Sequence, residues 1–170
     1  MAKVFVIYHS QQLGNTEAFV FGTRLTRVTD AFRLSDVDAS LDEVSRQVLD
    51  LSGGTRIAES LHTFRRLWGP KVLRRGAVVI VISDGCETGD IEHLRREAQA
   101  LQRSCYRLIW LNPRLGQHRY QPKVRGMAAV LPYVDDFLPI HDFESLRQLR
   151  DHLARLPKRK GGSSEVSRRL

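Results

Sequence analysis

At 170 residues, 42% hydrophobic and formally +8, the chain is the size of one domain with enough apolar material for a core. Its longest apolar run, Ala77–Ile82, is far short of the ~20 residues of a membrane-spanning helix. The start MAKVFVIYHS is too briefly apolar for a secretory signal, so a cytoplasmic protein without a membrane span is expected.

Val4–Tyr8 (VFVIY) predicts a strand buried on both faces. Ala18–Phe21 and Leu25–Thr29, split by Gly22-Thr23, predict a hairpin. Leu41, Val44 and Val48 have helical spacing, with Asp38 as the expected N-cap. Ile57, Leu61, Phe64 and Leu67 place a helix over 55–68, stopped by Gly69-Pro70. Ala77–Ile82 (AVVIVI) is the clearest strand, expected to be central and parallel. Ile91, Leu94, Ala98 and Leu101 give the next helix, and Leu108–Leu111 a strand closed by Asn112-Pro113. A polar and aromatic loop over 114–123 carries His118 and Tyr120. A short helix over 126–131, a short strand over 137–140 and a last helix over 143–153 follow. The tail Pro157–Leu170, with five basic residues and one acidic, supplies +4 of the charge, and its Gly-Gly-Ser-Ser predicts disorder.

Helix and strand alternate from residue 38 onward. That order predicts an α/β fold, a doubly wound and mostly parallel sheet with helices on both faces. Ligands of such sheets sit at the carboxyl ends of the strands. Asp84 stands at one such end, after AVVIVI. Thr55, after Gly53-Gly54, stands at the same edge if its helix starts there. Either residue alone reads as a cap or turn residue. Together, a hydroxyl and a carboxylate suit a hard divalent ion such as Mg²⁺.

The stretches DLSGGTRIAESLHTFRRLW, RGAVVIVISDG and RLIWLNP resemble a von Willebrand factor A (VWA) domain, and more narrowly the CoxE-like VWA proteins. EAFVFGTRLTRVTDAFR and YQPKVRGMAAVLPYVDDFLPIHDFESL extend the likeness over Glu17 to Leu153. The resemblance implies a VWA-like domain over 1–156, ahead of the 157–170 tail. It also implies a metal-ion-dependent adhesion site, in which an Asp-x-Ser-x-Ser loop, a threonine and an aspartate hold Mg²⁺ (or Mn²⁺). Thr55 matches the threonine and Asp84 the aspartate. It further implies a non-enzymatic interaction module that works with a MoxR-type AAA+ ATPase or a metalloenzyme client, as in the maturation of carbon monoxide dehydrogenase.

The first loop departs from that pattern. Residues 1–16 are atypical: where the family has a strand ending in Asp-x-Ser-x-Ser and then a helix, this chain has KVFVIYHSQQLGNTE. Tyr8 replaces the aspartate, and Ser10 is the one residue that matches a serine of the loop. The first strand–helix unit is thus abbreviated. The residues between Ser10 and Thr16 are too few for a parallel crossover, so a first strand paired with Ala18–Phe21 must run antiparallel, with Leu13-Gly14-Asn15 at the turn. With one carboxylate left, metal binding is expected to be weak or absent. Apolar surface near Val79 and Val81 is expected to lose its cover. The same start is similar to that of flavodoxin-like proteins, whose Ser10, Gln11, Asn15 and Thr16 equivalents grip FMN phosphate. An FMN-dependent oxidoreductase is therefore the rival reading, and a non-functional gene fragment a third.

Other candidates read as structural. Cys86 and Cys105 have no metal or redox spacing and are expected to be free, partly buried thiols. His93 and Glu97 fit a surface pair, and no local motif predicts a zinc site. Asp135-Asp136 fits a solvated strand edge. Arg65-Arg66, Arg74-Arg75 and Arg95-Arg96 fit solvated helix faces. Without aromatic interleaving they do not predict a nucleic-acid surface.

Overall fold

A computed structural model describes residues 3–9, 16–48, 54–73, 76–116 and 124–156. In chain order the elements are β1 (Lys3–His9), β2 (Glu17–Phe21), β3 (Leu25–Arg27), α1 (Val37–Gln47), α2 (Ile57–Thr63), a π-helical segment (Phe64–Trp68), α3 (Gly69–Val72), β4 (Ala77–Ile82), α4 (Ile91–Ser104), β5 (Arg107–Asn112), α5 (Arg125–Val130), β6 (Asp136–Pro139) and α6 (Phe143–Arg155). The tail, Ser10, Leu13-Gly14-Asn15, His118 and Tyr120 lie outside the described residues.

Among the described residues, six strands make one mixed sheet in the order β3–β2–β1–β4–β5–β6. The crossover-linked half is parallel, with Val79 opposite Leu108 and Trp110 opposite Phe137. β1 fills the slot between β2 and β4 and runs antiparallel to both: Phe5 pairs with Phe19 on one side and Val81 on the other. Its antiparallel pairing with β2 and the β2–β3 hairpin follow the sequence reading. AVVIVI is central, but only its β5 side is parallel.

Period-two alternation divides the side chains between two faces. Phe5, Ile7, Phe19, Phe21, Val79, Val81, Leu108 and Trp110 point to one, under α2, α4 and α5. Phe64 is buried there, stacked on Phe5 at 5.9 Å and edge-on to Phe19 at 5.3 Å. Val79 and Val81 are fully buried, so the expected exposed patch is absent. Ile57, Leu61 and Phe64 cover that face, so the missing family helix does not uncover it. On the other face, α1 packs through Val44 and Val48 on Ala18, Val20 and Val28. α6 packs through Leu149 and Leu153, with Leu156 beyond its end, on Val78, Ile80, Ile109 and Leu111.

Several local readings are corrected. Asp36, not Asp38, caps α1, accepting from the Asp38 N–H at 3.0 Å. Gly69-Pro70 does not stop the second helix, which continues to Val72. The Gly69 N–H reaches back to the Phe64 carbonyl, and this wider turn lies where the Pro70 ring must be accommodated. Asp135 is exposed beside the edge strand, as a solvated edge requires, but Asp136 is not solvated: its side chain is 11% exposed. Asp136 forms a two-point ion pair with Arg107, one contact being 2.8 Å, and Asp135 accepts the Leu108 N–H at 2.7 Å. Both carboxylates therefore fasten β6 to β5. Nor is Glu97 a surface residue: it is buried between α4 and α2, and Arg65 is its ion-pair partner at 2.7 Å.

Candidate functional site

β4 ends at the fully buried Ser83, where every backbone group is fixed. Its N–H donates to the Leu111 carbonyl at 3.0 Å, and its carbonyl accepts from the Trp110 indole at 2.9 Å. Its hydroxyl accepts the Gly85 N–H at 3.1 Å. Asp84 accepts the Cys86 N–H at 3.2 Å, a side-chain turn that holds the carboxylate at the strand end. Gly85 has φ +77°, open to glycine at little cost. A Cβ at Gly126 of α5 would lie 2.1 Å from the Gly85 carbonyl oxygen, so the loop is clamped against that helix. The N-cap of α4 is Asp90, not Asp84; Asp90 accepts the Glu92 N–H at 2.9 Å.

Thr55 lies on the neighbouring loop, 5% exposed. Its carbonyl accepts both the Thr88 N–H and the Thr88 hydroxyl, each at 2.9 Å. These two hydrogen bonds join the Thr55 loop to the Asp84 loop. Arg56 donates its N–H to the Gly22 carbonyl at 2.9 Å, which brings in the β2–β3 turn. Thr55 does not cap α2 with its side chain. The helix starts at Ile57, and the Glu87 carboxylate caps it from the other loop, accepting the Ala58 N–H at 2.9 Å and the Gly89 N–H at 2.6 Å. Sequence reasoning missed Glu87 and Thr88, because neither lies in a local capping pattern with the helix or carbonyl it serves.

The sheet thus brings the loops of Thr55 and Asp84 to one edge. Ser10 is not described, and β1 ends with His9 opposite Ala77, at the other edge of the sheet. The end of β1 that does reach the Asp84 edge is its start, where Val4 pairs with Ile82. Lys3 there bears on the Cys86 thiol. Burial pushes that thiol up, as do the charge and hydrogen bond of Asp84, while Lys3 and Arg114 pull it partly back. The edge therefore offers the Asp84 carboxylate and the Thr55 loop in a partly cationic field, while the Glu87 carboxylate is already engaged by the Ala58 and Gly89 N–H groups. These residues do not fit a Mg²⁺ site, which wants near-octahedral oxygen donors and compensating negative charge. Both cysteines are free and half-buried, and burial pushes Cys105 up to about 12. No described helix is long and apolar enough to cross a membrane.

Comparison with known proteins gives one family. The description "VWA domain containing CoxE-like protein" matches residues 4–146, a span that holds both Thr55 and Asp84 and runs through β6. No curated protein and no solved structure matches.

Proposed function

Starting from a chain that belongs to the CoxE-like VWA-domain family, we propose that it is a docking subunit for a MoxR-type AAA+ ATPase or a metalloenzyme client, and not a catalyst. The family implies an interaction module in the setting of carbon monoxide dehydrogenase maturation, and its members are generally accessory proteins without catalysis. The observation that carries the reading is the family match over 4–146. A second supports it. Val37, Leu41, Val44 and Val48 form one helical stripe. Its second half packs on the sheet, while Val37 and Leu41 remain 71% and 57% exposed, near the exposed Phe32 and Leu34. A partner would bury this apolar overhang.

Any Mg²⁺ or Mn²⁺ held at Thr55 and Asp84 binds weakly at best, so partner recognition rests on shape and apolar contact. The test is co-purification of the full chain with the ATPase under ATP and Mg²⁺, repeated with Val37→Asp and Leu41→Asp. Association with the wild type, weakened roughly tenfold or more by either charge, is the expected result. No association of the folded wild type would overturn the reading, and a yellow, flavin-bearing preparation would move it to the FMN class.

A further inference from the structure

The packing of α2 on α4 brings together three side chains that the sequence keeps 31 and 35 residues apart, with no local motif to announce them. His62 Nδ1 lies 2.9 Å from Glu97 Oε1, and His93 Nε2 lies 3.6 Å from the same oxygen. The candidate ligand atoms of the three residues all fall within 4.8 Å of one another. A tetrahedral ion with bonds of ~2.0–2.1 Å requires donor separations of about 3.3 Å. Two of the three separations bracket that value, and small rotations of two half-exposed imidazoles close the third.

The surroundings are those of a built site. Glu97 is only 8% exposed, and Arg65 Nε binds its other oxygen, Oε2, at 2.7 Å. Arg65 therefore orients the carboxylate and leaves Oε1 facing the histidines, the role that outer hydrogen bonds play around ligating groups. Burial pushes the Glu97 carboxyl up, but the bonds from Arg65 and His62 outweigh it and hold the group ionised. The histidine edges are 42% and 28% exposed, so an ion can enter.

We propose that His62, His93 and Glu97 form a binding site for a divalent transition metal of the Zn²⁺ class, separate from the Thr55–Asp84 edge. Two imidazoles and a carboxylate favour Zn²⁺ over Mg²⁺, which prefers oxygen alone. Three protein ligands leave a position for water or for a donor group from a bound protein. α2 follows the Thr55 loop and α4 follows the Asp84 loop, so an ion here would tie together the two helices that carry the edge.

The test uses the full chain, stripped with chelator and titrated with Co²⁺ while the visible d–d bands are followed, then displaced with Zn²⁺. Expected is a saturable tetrahedral spectrum, weakened tenfold or more in His62→Gln and in His93→Gln and unchanged in Asp84→Ala. In the wild type, Zn²⁺ should also shift the ring-proton signals of two histidines, a readout that needs no variant. Folded wild type that takes up no Co²⁺, or uptake that both histidine variants leave intact, would overturn the site.

Discussion

The clamp between Gly126 and Gly85 can be measured against a glycine that has no such neighbour. A Cβ at Gly126 would meet the Gly85 carbonyl oxygen at 2.1 Å, more than 1 Å inside ordinary contact, and both sides are backbone. Either α5 or the Asp84 loop must move. Overpacking costs about 1–3 kcal/mol in general, and a backbone clash belongs at the upper end. Gly76 separates the other possible cost: it has φ +85° but no atom within 4 Å of a Cβ, so Gly76→Ala carries only backbone strain, about 1–2 kcal/mol. At about 2–4 °C per kcal/mol for this chain length, Gly126→Ala should lower Tm by roughly 6–12 °C and Gly76→Ala by roughly 2–8 °C. Gly85→Ala combines strain with a clash at Met127 and should cost more than either. Because a loop displaced by one substitution relieves the other, Gly85→Ala and Gly126→Ala should combine to less than their sum. Gly76→Ala and Gly126→Ala should add within about 0.5 kcal/mol. Thermal and urea unfolding give all these values. A Gly126→Ala variant no less stable than Gly76→Ala would refute the clamp.

Phe64→Ala should destabilise by about 3–5 kcal/mol, because it empties the centre of the larger core cluster; a loss under 1 kcal/mol in urea unfolding would contradict the packing. The Arg107 hydrogen bond holds Asp136 below the usual carboxylate range, so its contribution is complete above the unfolded pKa of about 4 and is lost as pH falls through the folded value. Stability of Arg107→Gln and wild type should therefore converge in acid below about pH 4, and a difference independent of pH would exclude this linkage. A thermal melt should shift little with Mg²⁺ against chelator. A native-state site at a hundredfold excess over Kd would add about 2.7 kcal/mol, so a shift of that size, abolished by Asp84→Ala, would show that the reduced donor set suffices.

Where the sequence was informative, the signal was local. AVVIVI and LIWL needed only their own residues to read as strands, and Ile91, Leu94, Ala98 and Leu101 to read as a helix face. Gly69-Pro70 misled because its two terminators act through local backbone geometry, and a single wide turn accommodates them within a helix held by Phe64. Asp136 looked solvated because its partner, Arg107, belongs to a strand 29 residues earlier. Glu97 failed the same way, since Arg65 and His62 approach it from another helix. At the Asp84 edge, Asp84 is placed by the strand it ends and Thr55 only by where its helix starts. The bonds that join them, from Glu87 and Thr88, depend on tertiary approach and leave no periodic trace.

The reversed β1 also sets an order of assembly. β1, β2 and β3 form a meander whose pairings close over short stretches of chain, whereas β1 meets β4 only across about seventy residues. Local pairings form at small loop-closure cost and distant ones late. The meander is thus expected to fold as an early unit, with α4, β5, α5 and β6 gathering on β4 as another. Within the sheet the two meet along one ladder, Val4 to His9 against Ile82 to Ala77, and above it their side chains share the larger core cluster. Amide exchange across that ladder should report the final docking step, and partial unfolding should separate the chain there.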